Sequence, residues 1–135
     1  ARAHKKICNQ RLDFHYKTAM KLCREYGVIC FETLNLKGMQ KLWGRKVSDW
    51  GFYSFMQILK NEAYKTGVRI VEIPKYYPSS QTCSECGYKH PEVKDLRVRT
   101  WKCPECGTVY DRDINAAKNI LRVGASTLSG DTLRP

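Results

Sequence analysis

The sequence has no apolar run long enough to cross a bilayer, so no membrane-spanning helix is expected within its 135 residues. Its first residues, Ala1-Arg2-Ala3-His4-Lys5-Lys6, lead into no apolar segment, and no signal peptide is read there. Internal repeats, a Walker loop and a glycine fingerprint for a dinucleotide are all missing, which argues against a P-loop NTPase or a Rossmann dehydrogenase. No Ser/His/Asp constellation is legible. Acid is scarce: 13 Asp and Glu face 24 Lys and Arg, a net charge of +11. That excess fits a polyanionic partner, most simply nucleic acid, with a merely soluble basic surface as the plainer alternative. The length suits one domain with a small appendage and a modest core.

Cysteine is abundant by contrast. Cys83-Ser84-Glu85-Cys86 and Cys103-Pro104-Glu105-Cys106 are separated by sixteen residues, giving C-x2-C-x16-C-x2-C. This spacing reads as a four-thiolate Zn²⁺ site built from two knuckles. Two disulfides or four idle thiols are the alternatives. Gly87 and Gly107 each follow a second cysteine, where a tight turn often needs positive φ. His90 is a conceivable substitute ligand, but four cysteines already complete a tetrahedral shell. Cys8, Cys23 and Cys30 lie in apolar patterns as buried thiols, and the odd count of seven fits a reducing cytoplasm.

Residues 4–26 read as an amphipathic helix with a stripe of Cys8, Leu12, Tyr16, Ala19, Cys23 and Tyr26, ended by Gly27. Val28–Phe31 reads as a buried strand, apolar on both faces as in parallel sheets. It ends in Glu32, at the carboxyl end of a core strand, where open α/β sheets place ligands. A glutamate simply reaching solvent is the alternative. Residues 33–48 read as a basic loop, in which Lys37, Lys41, Trp43, Arg45 and Lys46 are candidate nucleic-acid contacts. Trp43 could stack on bases or pin the loop to the core. Ser48 is the expected cap of a helix with the stripe Phe52, Phe55, Met56, Leu59 and Ala63, ended by Gly67. Val68–Ile73 follows as a strand, Asp95–Trp101 is a candidate hairpin strand, and a last helix starts near Asp113. Asp113, Ala117, Ile120 and Leu121 are expected on its buried face, where an aspartate is costly unless paired or metal-bound. Asp113 as a plain N-cap is the alternative, with Asp111 a competing candidate. Residues 124–135 show no period and read as a flexible tail.

The basic charge is unevenly spread. Residues 1–26 carry seven Lys/Arg against two Asp/Glu, and residues 36–50 carry four against one. Residues 83–112 are nearly balanced at six against five, and four thiolates on Zn²⁺ would add a net −2. The first helix and the 36–50 segment are therefore better electrostatic grips than the ribbon.

Phe31-Glu32-Thr33-Leu34-Asn35-Leu36-Lys37-Gly38-Met39, Asp49-Trp50-Gly51-Phe52, Pro78–Gly87 and Asp111–Ile120 occur in an order and spacing that closely resembles the C-terminal part of TnpB (OrfB) proteins. These are transposon-encoded RNA-guided nucleases related to type V CRISPR effectors. The resemblance covers about residues 10–123. It implies an α/β fold, a partial RNase H-like (RuvC) domain with an inserted four-cysteine zinc ribbon. It also implies boundaries: residues 1–78 as the C-terminal half of the RuvC-like domain, 79–110 as the ribbon, 111–123 as the closing helix and 124–135 as the tail.

The resemblance matches Glu32 and Asp113 to two of the family's metal carboxylates, which bind Mg²⁺ and work on DNA with a guide RNA. The family's first catalytic aspartate lies on an earlier strand that has no counterpart in this sequence, nor have the domains that hold guide and target. The implied reading is the C-terminal portion of an RNA-guided, Mg²⁺-dependent DNA endonuclease. It would act in a prokaryotic cytoplasm near the nucleoid, inactive until completed by its N-terminal portion or a full-length relative. The alternative is a non-catalytic zinc-ribbon accessory that binds nucleic acid.

Overall fold

A computed structural model describes residues 1–45 and 51–129, with the Trp43 side chain outside that description. In chain order the elements are α1 (Arg2–Glu25), β1 (Val28–Glu32), α2 (Leu36–Trp43), α3 (Phe52–Thr66) and β2 (Arg69–Ile73). A 3-10 turn (Pro91–Lys94), β3 (Thr100–Lys102), β4 (Val109–Asp111) and α4 (Arg112–Leu128) follow. Two compact units result: residues 1–29 with 34–71, and residues 30–33 with 72 onward. Among the described residues no helix is long and apolar enough to cross a membrane.

In the first unit α1 packs on α3. His15, Ala19 and Cys23, spaced by four, form the buried line of α1. The expected stripe is out of phase with this line: Leu12, Tyr16 and Tyr26 are exposed. The apolar residues of α1 cover so wide an arc that period alone does not fix which part is buried, and His15 lies at its centre. From α3 come Met56, Ile58, Leu59 and Ala63, with Phe55 tilted against the His15 ring at 5.4 Å between centroids. Ala19 and Ala63 are almost wholly buried, and small side chains there let the helices approach closely.

The start of α3 corrects the expected cap. Gly51 occupies the N-cap position with φ 59°, and Phe52 is the first helical residue; Ser48 lies outside the described residues. A Cβ on Gly51 would stand 2.9 Å from Arg11 Cδ and 3.0 Å from His15 Cε1. Both the left-handed backbone and the α1 contact therefore select glycine. Gly51→Ala is expected to lower unfolding free energy by about 1–2 kcal/mol, read as the shift of a urea midpoint. An unshifted midpoint would show that φ relaxes and the Arg11 and His15 side chains yield. At its other end α3 stops at Gly67, φ 75°, as the sequence implies.

The expected basic loop after β1 is instead helical over α2. Asn35 caps it by accepting from the Gly38 N–H at 3.1 Å. A Cβ on Gly38 would meet Asn35 Nδ2 at 2.7 Å, so a glycine that looks like a breaker makes room for the cap.

β1 and β2 form a two-stranded sheet. The Arg69 N–H donates to the Gly27 carbonyl (3.0 Å) and the Thr33 N–H to the Ile73 carbonyl (3.1 Å), so the strands run parallel. β1 is less buried than expected: Val28 is exposed and the rest half-buried. Burial is deeper on β2, at Val71 and Ile73.

The second unit carries the ribbon. β3 and β4 pair antiparallel, with Trp101 opposite Tyr110. Only Thr100 and Trp101 of the expected hairpin strand are extended, because Asp95 turns the chain first: its side chain accepts from the Arg97 N–H (2.9 Å) and its carbonyl from the Val98 N–H (3.1 Å). Val93, Trp101 and Tyr110 make a small core with Cys83 and Cys103. α4 runs to Leu128, past the expected end near 123, and Val123 and Gly124 are buried. Ser126 and Thr127 hydroxyls donate to the Val123 carbonyl at 2.8 and 2.9 Å, so both are satisfied within the helix itself.

Candidate functional site

The two knuckles are built alike. The Gly87 N–H donates to the Cys83 carbonyl and the Gly107 N–H to the Cys103 carbonyl, both at 2.9 Å. Cys83 and Cys103 N–H groups reach the carbonyls of Tyr88 and Thr108, both at 2.8 Å. Gly87 and Gly107 take φ of 80° and 74°, as their places after the second cysteines imply. Sγ of Cys83, Cys86, Cys103 and Cys106 all lie within 4.8 Å of one another. Cys83 to Cys106 and Cys86 to Cys103 are each 3.6 Å. A tetrahedron of Zn–S bonds has an edge of about 3.8 Å, whereas a disulfide needs about 2 Å. The sulfur cluster therefore suits a structural Zn²⁺ and excludes the disulfide alternative. His90 takes no part in it: its ring stands edge-on to Trp101 at 5.7 Å.

Neighbouring donors prepare this cluster. Burial pushes the Cys83 thiol up, but the Cys86 and Glu85 N–H groups and the Tyr110 hydroxyl outweigh it and bring it down to about 6. The Tyr110 hydroxyl lies 2.9 Å from Cys83 Sγ. At Cys86 the Tyr88 N–H lowers the thiol, while burial and the other three sulfurs push it up to about 12. Four sulfurs at this spacing cannot all ionise unless a cation joins them. Metal uptake must then release protons, so Zn²⁺ affinity falls as pH falls.

Glu32 ends β1 half-buried, and the Ser79 hydroxyl donates to its Oε2 at 3.3 Å. Burial raises this carboxyl above its ordinary value, and the Ser79 hydrogen bond pulls it partly back. The folded state thus holds the proton more tightly than the unfolded one, so stability falls as pH rises between the two values. Glu32→Gln keeps the acceptor for Ser79 and removes the charge. In Mg²⁺-free buffer at neutral pH it is expected to raise the stability by less than about 1 kcal/mol, because the site is half-exposed, read as a small rise in melting temperature. The gain should vanish below the unfolded carboxyl value. A loss of stability at neutral pH would contradict this reading.

Asp113 sits in the first turn of α4 and is exposed, which corrects the expected buried face. Ala117 and Leu121 are exposed with it, and the buried line is Arg112, Asn115, Asn119 and Val123. Asp111 is the N-cap, accepting from the N–H groups of Asp113 (2.9 Å) and Ile114 (3.1 Å), so Asp113 is not the cap. Among the described residues the four cysteines are the single cluster of three or more metal-ligating side chains.

The basic candidates divide. Lys37 and Lys41 are exposed on α2, and Arg45 is exposed beyond it. Lys46 and the Trp43 side chain lie outside the described residues.

Sequence reasoning missed Ser79, Asn115 and Asn119. Asn115 and Asn119 are fully buried and stand four apart on α4. Asparagine is a poor helix-interior residue, so two at that spacing beside alanines are themselves a signal of polar work on the packed face.

The family described as Cas12f1-like, TNB domain matches residues 52–120. A candidate RNA-guided DNA endonuclease of Streptomyces pristinaespiralis is 36% identical over 138 residues, which is 100% of this chain and 34% of that protein. A TnpB-like protein of Acanthamoeba polyphaga mimivirus is 36% identical over 130 residues, 90% of this chain and 24% of that protein. The chain therefore spans about a third of the first relative and a quarter of the second. The cryo-EM structure of a Cas12f1–sgRNA–target DNA complex matches with a TM-score of 0.66 at 20% identity, over 87% of this chain and 35% of that one. Likeness at that identity shows the fold, a mixed α/β partial RuvC domain with a zinc ribbon.

Proposed function

The chain belongs to the TnpB/Cas12f-like RNA-guided endonuclease family, and from that premise we propose that it supplies two carboxylates, Glu32 and Asp113, to a Mg²⁺-dependent DNA-cleaving centre. The observation that supports this most is Glu32 itself: an ionisable group kept half-buried at the carboxyl end of a parallel strand, against its own solvation. Carboxylate oxygens are hard donors and suit Mg²⁺, as the thiolates suit Zn²⁺. Ions bound there would bring activation of a water and stabilisation of the departing phosphodiester oxygen.

The chain's own residues do the positioning. β1 fixes the Glu32 backbone, the Asp111 cap fixes the first turn of α4, and the ribbon ties residues 79–111 into one folded piece. Exposed Lys37, Lys41 and Arg45 serve phosphate contacts to DNA or guide RNA, a sequence-independent and salt-sensitive grip. Among the described residues neither Glu32 nor Asp113 belongs to a cluster of three or more metal-ligating side chains. The proposed centre is therefore completed by an aspartate from an N-terminal portion or from a full-length relative, in a reducing cytoplasm that keeps the thiolates available.

The test is complementation. The purified chain with Mg²⁺ should not cut DNA, and adding the N-terminal portion of the Streptomyces relative with its guide RNA should give guided cleavage. Cleavage by the chain alone, lost on Asp113→Ala, would overturn the need for completion. Guided binding without any cleavage, unchanged by Glu32→Gln, would favour the accessory reading instead.

A further inference from the structure

One line of hydrogen bonds runs from the first zinc knuckle to Glu32, all within the second unit. The Ser84 N–H, between Cys83 and Cys86, donates to Asn115 Oδ1 at 3.0 Å. Asn115 Nδ2 donates to the Thr82 carbonyl at 2.8 Å. Asn119 Nδ2 donates to that same carbonyl at 2.6 Å and to the Ser79 carbonyl at 2.8 Å. The Ser79 hydroxyl then donates to Glu32 Oε2. Arg122 adds a further bond to the Ser84 carbonyl.

The side chains of Ser79, Asn115 and Asn119 that make these links are buried, and among them only Asn119 Oδ1 finds no partner among the described residues. Ser79 is 5% exposed, and Asn115 and Asn119 are 0% exposed. A buried amide or hydroxyl is costly unless it is bonded. Within residues 79–84 the Gln81 and Cys83 carbonyls are met by the His90 and Gly87 N–H groups, whereas those of Ser79, Thr82 and Ser84 take side-chain donors. Alanine at 115 and 119 would favour the helix more, by about 0.5 kcal/mol each. The two asparagines therefore hold the 79–84 segment, and that segment ends on a carboxylate. Glu32 has three rotatable side-chain bonds, and without a fixed donor its oxygens would sample several rotamers.

We propose that Ser79 is a positioning residue for Glu32, clamped by Asn119 and, through Thr82 and Asn115, by the first zinc knuckle. The structural zinc site thereby sets the orientation of a carboxylate that is not among its ligands. The functional weight of this rests on Glu32 being a ligand of the proposed centre, but the geometry can be tested without any nuclease assay.

The experiment uses the full 135-residue chain, zinc-loaded and isotope-labelled, and reads the three-bond χ1 couplings of Glu32 by NMR. Zinc content and amide dispersion report the fold in each variant. Wild type should show one dominant rotamer. Ser79→Ala should move the couplings toward the rotamer average with zinc still bound, and Ser79→Thr, which keeps the hydroxyl, should restore them. Asn119→Ala, which does not touch Glu32, should also shift them, and it carries the test if Thr does not fit at 79. Unchanged couplings in both alanine variants with zinc retained would overturn the proposal, as would averaged couplings in a folded Ser79→Thr. Because neither Mg²⁺ nor DNA enters this measurement, failure of the nuclease reading would appear only in the cleavage assay.

Discussion

Chelation of the metal, or Cys103→Ser, is expected to unfold the ribbon over residues 79–111. β3 and β4 are three residues each, and their apolar core is little more than Val93, Trp101 and Tyr110 around two of the cysteines. So small a core does not hold itself together without a staple. Structural Zn²⁺ contributes roughly 10–16 kcal/mol of apparent binding free energy at neutral pH, most of which is folding free energy in such a module. Cys103 is fully buried, so a serine there removes a ligand and leaves a hydroxyl among sulfurs. The checks are zinc content, a red shift of Trp101 fluorescence and collapsed amide dispersion for these residues. The pH dependence has a definite sign. Cys86 is pushed up to about 12, so its proton must leave on binding, and acid should release zinc cooperatively. Retained dispersion in excess chelator would show that the ribbon stands without its metal.

Loss of guided cleavage on neutralising either carboxylate is the second large effect. In the complemented nuclease, Glu32→Gln and Asp113→Asn are each expected to lower the single-turnover rate by at least about 10²-fold. Neither change should unfold the chain. Gln at 32 still accepts from Ser79. Asn at 113 leaves the Asp111 cap in place and forfeits only the helix-dipole term of the first turn, about 0.3–1 kcal/mol. DNA binding at moderate salt should persist, because the grip proposed above is made by lysine and arginine. Equal losses of binding and cleavage would mean that the acids act through the fold and not through the chemistry.

The sequence was most legible where spacing and chemistry coincide. Four cysteines in two knuckles, with glycine after each second cysteine, led directly to the sulfur cluster and its two left-handed turns. Gly67 and the strand at Val68–Ile73 were legible for the same local reasons. It was least legible where tertiary contacts choose among equals. Leu12 and Tyr16 are as apolar as their neighbours on α1, yet the buried line runs through His15 because Phe55 and Gly51 meet it there. Gly38 disguised α2 as a loop, since its role depends on where the Asn35 side chain goes. α4 runs on beyond the point where its period fails, with Val123 and Gly124 buried there. The place of Glu32 at the end of β1 was legible in the sequence, but its contact with Ser79, and the two asparagines behind Ser79, were not. Their meaning is a set of carbonyls some thirty to forty residues away in sequence.

Manganese in place of magnesium tests most directly whether Glu32 and Asp113 serve one centre. In the complemented complex with labelled chain, substoichiometric Mn²⁺ broadens signals steeply with proximity, and the carboxyl-carbon resonances of these two residues can be followed together. Both should broaden at the same Mn²⁺ concentration, ahead of the other acidic residues, and recover together on adding Mg²⁺. Broadening of one without the other, or of neither, would contradict a shared ion.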